Sequence, residues 1–206
     1  MTRVTLKSQE DIDLWSARDA VVLKALSLVL AQRLPFSKHC THIKGYGGSK
    51  GAVRQVLRHL PEQRFVLKTD VQGYYASIDH QRLLDRLAAH ITDRRVLNLI
   101  GQYLKRCAER GGLYWEYPQG IALGCPLSPI MGAFFLNELD AQLATLGLFF
   151  VRYTRKTVDK FVDRALRLYE QEPGEPCASS RLGAYVQRWG RWVQAGLPRG
   201  ALVCVG

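Results

Sequence analysis

Asp70 stands at the end of the short apolar run Phe65 to Thr69 and opens the segment D-V-Q-G-Y-Y-A-S-I-D. Carboxylates at the ends of adjacent strands hold two divalent cations about 3.5–4 Å apart for in-line phosphoryl transfer. One cation lowers the pKa of the attacking hydroxyl, and both stabilise charge that develops on the phosphate. Taken alone, Asp70 reads by default as a helix cap or a turn residue. Asp79, closing the same segment, reads as the cap of a helix that starts near His80. Tyr74 and Tyr75 read as core packing next to the strand. A second segment, residues 118–129, runs P-Q-G-I-A-L-G-C-P-L-S-P. Its glycines permit close backbone approach and its prolines fix the first turn of a following helix. The plain reading is a turn followed by a cap, with Ser128 as the cap.

A third stretch, residues 43–54, runs I-K-G-Y-G-G-S-K-G-A-V-R. Small residues let backbone N–H groups approach a phosphate, and Lys44, Lys50 and Arg54 supply cations to neutralise it. The order is not that of a P-loop, because no G-K-S/T follows. His39, Cys40 and His42 hint at zinc, but no second cluster completes four ligands.

Around these segments the periodicity places the elements. A helical stretch over 10–34 is stopped by Pro35, and residues 36–51 form a Gly-rich basic loop. A helix from Ala52 to His59 precedes the Phe65–Thr69 strand. Two helices over 80–90 and 94–107 are followed by a Gly111–Gly112 turn and a strand or hairpin arm over 113–117. A long helix over 127–146 leads to a second buried-type strand, Phe149 to Tyr153. Beyond it lie a helix with an apolar stripe from Val158 to Tyr169, a linker E-P-G-E-P at 172–176, and a last helix lined by Leu182, Tyr185, Trp189 and Trp192. The tail A-L-V-C-V-G is apolar with no obvious neighbour.

The 206 residues carry a net charge of +11 and are 47% hydrophobic, enough for one core or a core with a small helical appendage. Residues 1–64 hold 11 Lys/Arg against 5 Asp/Glu, residues 65–148 hold 8 against 8, and residues 149–206 hold 10 against 5. Basic flanks around a neutral centre suit lobes gripping a phosphate backbone. Ordinary solubilising charge is the bland alternative. Five cysteines with no C-x-x-C pair give no disulfide framework, hence no disulfide-linked partner and a reducing, cytoplasmic setting. No apolar run reaches the ~18 residues needed to span a bilayer, so no membrane partner is expected.

The D-x-x-x-Y-Y-x-S-I-D run and the twelve-residue P-Q-G segment together resemble the palm of group II intron-type reverse transcriptases, the bacterial RNA-directed DNA polymerases. The resemblance implies an α+β right-hand polymerase fragment. It would be mostly helical, with a small incomplete antiparallel palm sheet and thumb-like helices. Residues 1–64 would be a fingers-like basic region, 65–153 a partial palm, and 154–206 a thumb-like remnant. Asp70 takes the place of the first metal ligand, with the Val71 carbonyl beside it, and Mg2+ is the implied cofactor. Tyr75 resembles the bulky residue under the incoming sugar. Gln119 and Gly120 would contact the templating pair, and Lys44, Lys50 and Arg54 the triphosphate or template.

One part of the pattern is missing. In the family a strand like Phe149–Tyr153 continues as R-Y-x-D-D. Here it reads R-Y-T-R-K-T-V-D-K-F, with Arg155 and Lys156 in the place of the aspartates and Asp159 four residues late. A cation cannot ligate Mg2+ and repels it. The expectation is an internal deletion between palm and thumb and a catalytically defective protein from a mobile element. Its partners would be RNA, with a DNA primer and deoxynucleoside triphosphates by ancestry. The alternatives are a non-catalytic RNA-binding module and a remnant with no retained role.

Overall fold

A computed structural model describes residues 2–5, 11–59, 65–153 and 201–205. The thumb-like helices, Arg155, Lys156 and Asp159 lie outside the described residues. The chain is mostly helical with small open sheets and divides into two units. One comprises residues 1–36 and 72–137; the other comprises residues 37–71 and 138–206.

The first unit carries β1 (Thr2–Thr5), β2 (Asp11–Leu14), α1 (Ala17–Arg33), α3 (Tyr74–Ser77), α4 (His80–Ala88), α5 (Arg94–Leu104), β4 (Cys107–Arg110), β5 (Leu113–Glu116) and α6 (Ser128–Phe135). The helical stretch expected from residue 10 starts later, at Ala17. Asp11-Ile12-Asp13-Leu14 alternates polar and apolar residues and pairs with β1 as a strand, so the period of two prevails there. Ser16 then caps α1, its Oγ accepting the Asp19 amide at 3.1 Å. Asp79 caps α4 as expected, accepting the Arg82 amide at 2.7 Å. The sheet order is β2-β1-β4-β5, with antiparallel pairing in β1–β2 and β4–β5.

One core serves this unit. Leu23, Leu30 and Leu34 from α1 meet Leu83 and Leu87 from α4, Ile100, Tyr103 and Leu104 from α5, and Met131 and Phe134 from α6. The expected helix over 127–146 is two helices, α6 and α7 (Asn137–Thr145), with Leu136 between them. At that break the Asn137 side-chain amide donates to the Pro35 carbonyl, tying the end of α6 to the end of α1.

The second unit holds α2 (Gly48–His59), β3 (Phe65–Thr69), α7 from Glu138 onward, β6 (Phe149–Arg152) and β7 (Ala201–Val205). The apolar tail finds its neighbours here: β7 lies between β3 and β6 and runs parallel to both. β3 and β6 are therefore not paired with each other, each being hydrogen-bonded to β7. A strand apolar at every position suits such a central, parallel place. Residues 39–41 add a partner on the other side of β6. The Thr41 amide donates to the Arg152 carbonyl and the Arg152 amide to the His39 carbonyl, each at 2.9 Å. Histidines stack on the start of β6: His39 on Phe150 at 4.0 Å and His59 on Phe149 at 3.7 Å.

Candidate functional site

The P-Q-G loop is built into the first unit through its backbone. The Gly120 amide donates to the Ile78 carbonyl and the Ile121 amide to the Tyr75 carbonyl, both at 2.7 Å. Gly120 is obligatory on two counts. Its φ is +87°, and a Cβ would lie 2.8 Å from the Ala76 carbonyl oxygen, with backbone atoms rather than a movable side chain in the way. The Gly120 carbonyl accepts two further bonds, from His80 Nε2 at 2.7 Å and from Arg106 Nη1 at 2.8 Å. Arg106 is buried, pairs with buried Asp13 at 3.1 Å, and lies over the Tyr117 ring at 4.6 Å.

Behind the loop, Ser128 does not cap α6. It is buried and donates to the Ala122 carbonyl, so the Tyr103 hydroxyl donates to Ser128 Oγ at 2.7 Å. Leu127 holds the cap position with no side-chain bond, and Pro129 just inside the helix removes one orphan donor. Burial pushes the Tyr103 hydroxyl well above the usual tyrosine range and raises the Cys125 thiol.

Both tyrosines of the Asp70 segment pack on α6. Tyr74 donates to the Gly132 carbonyl at 2.6 Å. A Cβ at Gly132 would lie 2.8 Å from the Tyr75 ring, so this glycine makes the seat for that ring. The structure thus brings Tyr75 and Gly120 together through the Ile121 amide, while the Gln119 side chain is exposed.

In the second unit, Asp70 and Val71 are exposed just past the C-terminal end of β3. The register sets Thr69 of β3 and Arg152 of β6 both opposite Val205. With β7 between them, the two strand ends are ~10 Å apart, two interstrand spacings. Lys44 is exposed in the glycine loop, where the Gly48 amide closes onto the Thr41 carbonyl at 2.9 Å. Lys50 and Arg54 are exposed one turn apart on α2, and Arg58 continues the same row. Ala52 and Val56 face the other way and are buried.

Arg152 is a residue whose role the sequence reading missed. It is buried beside Asp140 of α7, with Nη2–Oδ2 at 2.8 Å and Nε 3.2 Å from both carboxylate oxygens. The signal was present: a guanidinium inside the apolar run F-F-V-R-Y demands a buried acid. Asp13 and Arg106 were missed as well; an acid at an inward position of an alternating strand is the corresponding clue. Burial pushes the Cys40 thiol up to about 11, and its Sγ lies 3.4 Å from His42 Nδ1.

Among the described residues, no group of three or more His, Cys, Asp or Glu converges in a way that could hold a metal. No described helix is long and apolar enough to cross a membrane.

The P-Q-G loop is thus wedged under the short tyrosine-bearing helix α3. Residues 17–154 match the family of reverse transcriptases, RNA-dependent DNA polymerases, and the chain belongs to that family. Protein YkfC of Escherichia coli K12 is 25% identical over 136 residues, covering 61% of this chain and 35% of YkfC. The group II intron-encoded protein LtrA of Lactococcus lactis subsp. cremoris is 28% identical over 101 residues, covering 49% of this chain and 17% of LtrA. The chain thus spans about a third or less of the length of these relatives.

Proposed function

We propose that this chain is a catalytically defective reverse-transcriptase-type protein, which retains the template-loop half of the polymerase site without a complete metal-holding half. By ancestry the reaction is RNA-templated DNA synthesis from deoxynucleoside triphosphates with Mg2+. In this reading residues 1–64 are fingers-like, 65–153 a partial palm and 154–206 a thumb-like remnant, joined across an internal deletion. Gln119 and Gly120 lie against the templating pair, Tyr75 lies under the incoming sugar, and Asp70 with the Val71 carbonyl marks what remains of the metal site. Lys44, Lys50 and Arg54 contact triphosphate or template.

The carrying observation is the spacing of the strand ends. Two catalytic cations sit about 3.5–4 Å apart and need carboxylates from adjacent strands. Here β7 separates the Asp70 strand from β6, and the residues after Tyr153 in the sequence include Arg155 and Lys156 in place of acids. A primer-extension assay on an RNA template, in Mg2+ and in Mn2+, tests the reading. No incorporation is expected. Incorporation that Asp70→Ala abolishes overturns it.

A second reading, a non-catalytic RNA-binding module, is favoured by the exposed row Lys50, Arg54 and Arg58 on α2. Phosphate contacts release counterions, so filter binding to structured RNA should weaken steeply between low and moderate salt. Affinity indifferent to salt counts against it.

A further inference from the structure

Helix α1 is apolar on two faces. One face, with Leu23 and Leu30, enters the core. On the opposite side Val21, Val22, Leu28 and Val29 are 68%, 49%, 51% and 56% exposed, with Ala25 exposed between them. At about 100° per residue these five positions lie within roughly 60° of a line through Ala25. A second apolar stripe, separated from the core-facing one by charged and polar residues, is surface that a partner can cover.

We infer that the outer face of α1 is a self-association surface, on which a second copy of this chain packs its own α1 antiparallel. The charges at the rim choose this occupant. Asp19 lies in the first turn and Arg33 in the last, both exposed and on the same flank of the stripe. A two-fold axis crossing α1 at Ala25 brings same flank to same flank. Val21 then faces the second copy's Leu28, Val22 faces its Val29, and Ala25 faces its own mate at the closest approach. Asp19 comes within a turn of the second copy's Arg33, and the symmetric pair repeats at the other end. Arg18 and Gln32, at the two ends of the stripe, meet as donor and acceptor. Such a patch is self-complementary, as a two-fold interface requires, and the helix dipoles run favourably opposed. An anionic polymer finds no row of cations along this stripe, so nucleic acid is not its partner.

Sedimentation equilibrium on the full chain, with circular dichroism to confirm that each variant keeps its helical signal, tests the inference. The unaltered chain should form a dimer. Leu28→Glu, at an exposed position, should weaken dimerisation by on the order of 30-fold or more, because it leaves an unpaired charge in the contact. Asp19→Arg alone should weaken it several-fold, and Asp19→Arg combined with Arg33→Asp should restore it. A chain that stays monomeric at every attainable concentration overturns the inference, as does a Leu28→Glu dimer as tight as the original. If the exchanged pair fails to recover, the antiparallel register is wrong and the inference falls with it.

Discussion

Each unit of this protein contains a buried arginine–aspartate pair, and the two pairs do different work. Arg106 of the first pair, Arg106–Asp13, also donates from Nη1 to the Gly120 carbonyl and lays its flat face over Tyr117, so the pair fixes a loop from behind. Arg152–Asp140 in the second unit is doubly bonded and turned wholly inward, pinning α7 to β6. The first pair holds a loop whose Gln119 side chain is exposed. The second consolidates the strand after which acids are expected and cations are written. A buried ion pair can therefore hold a loop in one unit and a helix–strand contact in the other.

Breaking the pairs separates these roles with the largest effects. Asp140→Ala and Asp13→Ala should each destabilise the chain by about 3–5 kcal/mol in urea, since each leaves a guanidinium buried without its partner. Native-state amide exchange sharpens the contrast: Asp13→Ala should speed exchange at Gly120, whose amide donates to Ile78, and Asp140→Ala should not. Equal acceleration in both variants would mean that Arg106 has no special hold on the loop. Gly120→Ala should cost about 2–4 kcal/mol, from the left-handed backbone and the collision with Ala76 together. A melt unchanged by that substitution would contradict the wedged-loop geometry.

On the second unit, replacing Lys50, Arg54 and Arg58 together by alanine should flatten the salt dependence of RNA binding by about 2 in log–log slope, at ~0.7 per lost contact. An unchanged slope would place the phosphate track elsewhere. The smallest effect concerns His39, whose pKa is lowered chiefly by burial against Phe150. Because the folded value lies below the unfolded one, the unfolded chain binds the proton first. This contribution to stability is complete above the ordinary histidine value and is lost as pH falls below it. His39→Phe keeps the stack and should remove that pH dependence; an undiminished decline would assign it to other groups.

Much of this was legible in the residues. The Asp79 cap, the hairpin around Gly111–Gly112 and the position of Asp70 after a short strand follow from local chemistry that tertiary packing did not oppose. The two-period alternation of Asp11–Leu14 was hidden because an adjacent apolar helix extended its own pattern over it. The break at Leu136 carries no glycine or proline, and only the Asn137 bond to Pro35 shows why the chain turns there. Strand partners were the least legible feature. The tail at 201–205 reads as apolar, but which strands it joins is decided by long-range pairing that no local signal encodes. For the candidate site, the sequence identified Gly120 but not the buried groups behind it, because a salt bridge 93 residues apart leaves only two lone charges to notice.

The most direct test is single-nucleotide incorporation on a primed RNA template, with the unaltered chain and Asp70→Ala side by side in Mg2+ and Mn2+. The account expects both proteins to bind the template in a salt-sensitive manner and neither to extend the primer. Extension by the unaltered chain that vanishes with Asp70→Ala would contradict it, because a second acid of this chain would then have to reach Asp70.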